Sequence, residues 1–218
     1  MGNPGKYQYR IYSLSGIVGG ILLFAGDMLL YYNGEKTDLL QNMAMVSSER
    51  IVYSGVTALW ATWAYLVGLI PVYRAFRNTP VWVRNTVLVT FAGILTGYGV
   101  VHGAYTAIAT DAKLAFLHQL DIHDSINLSR RVNDSIRLSL YPLFAVLSVL
   151  FVYYVLKNKT LYPKWVVIFF PLFPLLFRDF ICSLLSDKWW VIVQGGFYNL
   201  ILVVFFTISA VVLWNKYE

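Results

Sequence analysis

Cysteine is nearly absent, with Cys182 the single example in 218 residues. One thiol excludes an intrachain disulfide and says little about redox compartment. Charge is scarce too: Asp, Glu, Lys and Arg make up 13% of the chain, where an ordinary soluble domain carries about 25%. Acidic residues number 11 against 17 basic ones, for a net charge of +6. The basic residues form no single face; they are dispersed in short loops between apolar runs, which argues against nucleic acid as a partner. The sequence also lacks a phosphate-binding glycine loop, a His–Glu zinc helix motif and a nucleophile elbow. These absences give no reason to expect a cofactor. No internal repeat is visible, which weakens an inverted-repeat transporter reading.

What is present is apolar. Hydrophobic residues reach 58% and mean hydropathy is +0.61, more than so few charges could keep in water. Six runs are long enough to cross about 30 Å of hydrocarbon, near residues 11–32, 51–73, 85–108, 138–156, 165–185 and 190–214. The expected fold is an all-α polytopic membrane domain over residues 1–218, with six transmembrane helices. The polar opening "MGNPGKYQYR" leads into an apolar run too long for a signal-peptide core, so an uncleaved first helix is expected. Trp82, Trp165, Trp189, Trp190 and Trp214 mark span ends, where amphipathic rings settle at headgroup level.

An even span count puts both termini on one side. That side carries nine basic residues (Lys6, Arg10, Arg74, Arg77, Arg84, Lys157, Lys159, Lys164 and Lys216) and one acid, Glu218. The other side holds seven basic and eight acidic residues, Glu35 and Lys36 among them. Basic short loops stay inside, so both termini are expected in the cytoplasm. Gly16 and Gly20 in the first span, and Gly93, Gly97, Gly99 and Gly103 in the third, recur at four-residue intervals that let helices approach closely, within the chain or between copies. Pro171 and Pro174 should kink the fifth span.

Polar groups inside the runs carry the functional reading. Counted from the basic flanks at about 1.5 Å per residue, Asp27 lies roughly 25 Å deep, His102 roughly 27 Å, and Arg178 and Asp179 roughly 21–23 Å. Gln194 enters from the opposite face, about 9 Å down. All five therefore fall in the outer part of the membrane. A charge there costs at least about 2.5–3.5 kcal/mol on insertion scales, so these groups should face protein or water and find partners. We expect an Asp27–Arg178–Asp179 cluster, with Asp27 and Arg178 paired between helices and His102 and Gln194 nearby. Tyr98 and Tyr105, four and three residues from His102, share its helix face and should line the same pocket. One reading is a polar staple that only locks helices together. Two carboxylates, a guanidinium and an imidazole are more than a staple needs, and that excess supports the other reading, a cavity open to the outer side.

The segment from Lys113 to Leu138 mixes apolar and charged residues and reads as an amphipathic or lid-like helix on that outer surface. His118, Asp121, His123 and Asp124 are metal-capable types, but only His118 and Asp121 share a helix face. The spacing therefore favours a solvated face over a metal site. Asn127 and Asn133 fit the N-x-Ser acceptor pattern.

The stretch "GILLFAGDMLLYY", followed later by "GYGVVHGAYTAIA", resembles a family of bacterial multi-span membrane proteins of unknown function, with Gly26, Asp27, Gly99, His102 and Gly103 at the matching positions. That likeness implies a helical fold in a bacterial inner membrane and no particular activity. The first-span Gly–Asp is also similar to the lysoplasmalogenase family, membrane hydrolases of vinyl-ether lysolipids that use intramembrane aspartates. This second likeness implies an acid–base role for Asp27. Three functions fit the residues. The first is a lipid hydrolase or isomerase using Asp27, His102 and Asp179 on a lipid-like substrate held by Arg178, Gln194, Tyr98 and Tyr105. The second is a small proton-coupled transporter, and the third a membrane assembly subunit.

Overall fold

A computed structural model describes residues 6–32 and 38–216. The opening polar residues 1–5, together with Glu35, Lys36 and Glu218 from the charge count, lie outside the described residues. Among the described residues every regular element is helical. Helix α1 is Lys6–Tyr31, α2 Leu39–Met45, α3 Ser48–Ala75 and α4 Val81–Leu117. They are followed by α5 Ile122–Ser125, α6 Asn127–Ser139 and α7 Tyr141–Leu156. A 3-10 turn, Lys164–Phe169, then precedes α8 Leu172–Leu176, α9 Arg178–Ser183 and α10 Asp187–Leu213.

Local chemistry sets the helix ends. Asp38 caps α2 by accepting from the backbone N–H groups of Leu40 and Gln41 at 2.9 and 3.2 Å, and Ser47 caps α3. At the C-terminal end of α1, Arg50 donates from Nη2 to Tyr32 O at 2.7 Å and to Met28 O at 2.9 Å, the latter also accepting from Tyr32 N–H. A cation there also complements the negative end of the helix dipole.

Helix α1 packs closely on both α3 and α10. A Cβ on Gly68 would run into the backbone of Gly16, and one on Gly20 into Val203. The first-span glycines are therefore used against this chain's own helices. Helix α10 runs antiparallel to α1, with Arg10 beside Asn215 and Trp214 at one end and Tyr31 over Gly195 at the other. Arg10, Arg74 and Arg84 stand 4.7, 4.4 and 4.7 Å from the ring centroids of Trp214, Tyr9 and Tyr73. This basic, aromatic-rich rim suits a headgroup region.

Two main hydrophobic clusters fill the bundle, with a minor third at Cys182, Phe197 and Ile201. The larger, towards the basic rim, stacks Tyr65, Phe91, Phe151, Phe170, Phe205 and Phe206. The smaller, at the Tyr31 end, gathers Leu30, Tyr31, Met43, Ile108, Ala112 and Val191. Large apolar side chains such as Val89, Val149 and Val211 point outward, as expected where hydrocarbon is the solvent.

Five helical segments are long and apolar enough to cross a membrane: Tyr7–Tyr31, Ser48–Ala75, Val81–Leu117, Asn127–Leu156 and Asp187–Leu213. The expectation of six transmembrane helices is corrected at the fifth span. Residues 164–183 form a 3-10 turn and two short helices instead of one rod. Pro171 and Pro174 lack the N–H groups a continuous helix needs, so the predicted kink is a break. The segment still joins opposite ends of the bundle. Leu161 N–H donates to Ala75 O at 2.8 Å near the basic rim, and Val191 belongs to the cluster at the other end.

The segment expected as a surface lid also differs. Helix α4 continues past the predicted boundary at 108 to Leu117, and α6 packs back along it before running almost directly into α7. Asn133 fastens α6 by donating to Val101 O at 2.8 Å.

Candidate functional site

Between the two apolar clusters lies a polar layer, with one residue from each of four helices. Asp27 sits on α1 between Leu23 and Leu30, Ser54 on α3, His102 on α4 and Asn199 on α10. Asp27 is 7% exposed and His102 4%. The carboxylate lies 3.1 Å, Oδ1 to Nδ1, from His102. Its Oδ2 accepts from Asn199 Nδ2 at 2.6 Å. On the far side of the ring, His102 Nε2 faces Ser54 Oγ at 2.9 Å and Ser54 O at 3.2 Å.

Ser54 Oγ lies 2.8 Å from Gly26 O and 2.9 Å from His102 Nε2, so its one hydrogen can serve either contact. The 3.1 Å Nδ1–Oδ1 contact needs a hydrogen between its two atoms, which the Nδ1–H of the imidazole supplies to the carboxylate. The order Ser54–His102–Asp27 is that of a nucleophilic triad. Ser54, however, is fully buried, with Gly26 O and the imidazole as its neighbours. Ser54 therefore orients the ring, and Gly26 makes room for it. A Cβ on Gly26 would collide with Thr57 Oγ1 and stand 3.0 Å from His102 Nε2. That is the physical content of the Gly–Asp pair.

The pair lines a cavity of about 110 Å³ towards the Tyr31 end. Six of the residues singled out from sequence meet in it: Asp27, His102, Arg178, Gln194, Tyr98 and Tyr105. Two expectations are corrected. The partners of Asp27 are His102 and Asn199, not Arg178. Asp179 is not in the cavity; its side chain is 97% exposed, with its carboxylate 3.8 Å from Arg178. Neighbouring residues on a helix point about 100° apart, so the break that turns Arg178 inward turns Asp179 out.

Sequence reasoning missed Asn199, Ser54, Arg137, Tyr31 and Tyr198. Asn199 and Ser54 interrupt apolar runs as Asp27 does, and being uncharged they raise no comparable alarm. Arg137 reads as a loop charge, yet α6 carries it to the cavity wall. There its Nη2 donates to Tyr105 Oη at 2.9 Å, and its guanidinium stands 5.6 Å from the Tyr198 ring centroid. Arg178 approaches the same ring, also at 5.6 Å.

The metal-capable quartet does not assemble. His118, Asp121, His123 and Asp124 are all exposed, and no group of three such ligands converges among the described residues. Asp121 is occupied as a helix cap, its Oδ1 accepting from Asp124 N–H at 2.9 Å. Of the two acceptor asparagines, Asn127 is exposed, whereas Asn133 is 1% exposed and bonded to α4.

Fold and site together define an integral membrane helical bundle with an acid–imidazole pair enclosed among its helices. Residues 2–216 match the family of unknown function DUF6796, and the chain belongs to that family. No curated protein and no solved structure matches it.

Proposed function

We propose that the chain is a membrane-embedded acid–base enzyme, hydrolysing or isomerising a lipid-like molecule that enters from the outer leaflet. The observation that carries this reading is the Asp27–His102 pair lining a cavity that also presents Arg137 and Arg178. Asp27 and His102 are the catalytic residues, and Ser54 and Asn199 position them. Arg178, Gln194, Tyr98 and Tyr105 hold substrate. Asp179 serves as a counter-ion to Arg178 and takes no part in proton transfer.

The aromatic layer formed by Tyr65, Phe91, Phe205 and Phe206 lies between the cavity and the basic rim. A one-sided site suits an enzyme better than a carrier, which needs access from both faces. The broken segment supplies the sixth crossing, and the basic rim faces the cytoplasm of a bacterial cell.

The test is turnover of lipid. The purified chain in bilayer discs made from a total bacterial lipid extract should change the lipid profile read by mass spectrometry. Asp27→Asn should slow that change by about 100-fold or more. Identical profiles with wild type and Asp27→Asn would remove the enzymatic reading.

A further inference from the structure

We propose that the groove beside the acid–imidazole cavity binds a single-chain anionic lipid. Its acidic headgroup would lie between Arg137 and Arg178, and its acyl chain between α7 and α8. The inference names the substrate class of the site just described and rests on that reading for the role of the neighbouring pair.

The groove encloses about 300 Å³, at the lower edge of ligand-sized pockets. It exists because the broken segment does not follow α7. Helix α7 packs on α4 and the 3-10 turn, whereas α8 and α9 pack on that turn, on each other and on α10. The two arms diverge from the turn and leave a cleft whose apolar side is Ile94, Leu140, Phe144, Leu175 and Leu176, with Tyr141 and Asp179 also in its wall. Leu176, in its wall, is 70% exposed, so the opening faces hydrocarbon.

Charge names the headgroup. Tyr98, Arg137, Arg178 and Tyr198 form the wall common to groove and cavity. Arg178 Nε is buried with no hydrogen-bond partner, and the nearest Asp179 oxygen, at 3.8 Å, is beyond hydrogen-bond reach. Arg137 donates to a phenol, which leaves its charge unneutralised. Two guanidiniums flanking one tyrosine ring repel each other unless an acid lies between them, and their planar donor sets suit phosphate or carboxylate oxygens. The apolar cleft on one side of that wall then takes the chain, and the acid–imidazole pair on the other side faces the reacting end.

Native mass spectrometry of the full chain with lysophosphatidylglycerol tests this. Retention should exceed that of lysophosphatidylcholine, and inorganic phosphate at equal concentration should not compete. Arg178→Gln should weaken binding by about tenfold, and Leu175→Trp, which fills the cleft, should abolish it. Asp179→Asn removes a competing carboxylate and should tighten binding several-fold, a gain that misfolding cannot produce. Displacement by inorganic phosphate, undiminished binding in Leu175→Trp, or no tightening in Asp179→Asn would each overturn the proposal. If lipid binds as expected and is never turned over, the enzymatic reading fails while the groove stands. If lipid is turned over at the wild-type rate by Leu175→Trp, the groove fails alone.

Discussion

Asp27 is the residue on which the site depends, and its environment is finely balanced. One oxygen meets Asn199 and the other His102. Asn199→Ala leaves a buried carboxylate oxygen without its donor and should cost about 1–3 kcal/mol, read as a lowered unfolding temperature in detergent. His102→Ala leaves the same carboxylate facing an empty space, so Asp27→Asn should be less harmful in the His102→Ala background than in wild type. A double-mutant cycle on thermal stability should show coupling of about 0.5–3 kcal/mol; additive effects would mean that the pair is not linked. Gly26→Ala pushes a methyl into Thr57 Oγ1, with an overpacking cost of about 1–3 kcal/mol. Thr57→Ala should recover part of that loss, because it removes the atom that is struck.

At the scale of elements, α6 and the broken segment build the site's walls without belonging to its proton chemistry. Helix α6 is held to α4 by Asn133 and by Arg137 on Tyr105. Asn133→Ala removes one anchor worth about 1 kcal/mol. Amide hydrogen exchange over residues 127–139 should then accelerate roughly fivefold, with α4 unchanged. Equal acceleration in both helices would instead indicate global destabilisation. The break around Pro171 and Pro174 follows from missing N–H groups and is legible in the sequence. Its consequence, one neighbour turned inward and the next outward, is not.

For the whole molecule, the testable property is the direction in which the bundle sits in its membrane. The basic rim gathers Arg10, Arg74, Arg84 and Lys157, and the cavity lies towards the other end. In a Cys182→Ser background, Thr160→Cys in the loop near the basic rim should resist an impermeant maleimide added to intact cells. Gln119→Cys, beyond α4 at the other end, should react. The reverse pattern would turn the cavity towards the cytoplasm and exclude an outer-leaflet substrate.

The sequence by itself determined the membrane class, the apolar runs and the shared depth of Asp27, His102, Arg178 and Gln194. Hydrophobic length and distance from a basic flank are one-dimensional quantities, so counting residues recovers them. Which of those groups touch was decided only by tertiary structure. Contact depends on helix rotation and on close crossings such as Gly16 on Gly68 and Gly26 beneath His102. Those crossings set His102 and Asn199 on Asp27, and a helix break left Arg178 at the cavity wall with Asp179 outside it. Arg137 arrived from a segment that reads as loop, because α6 folds back along α4 and the chain distance between them carries no sign of it.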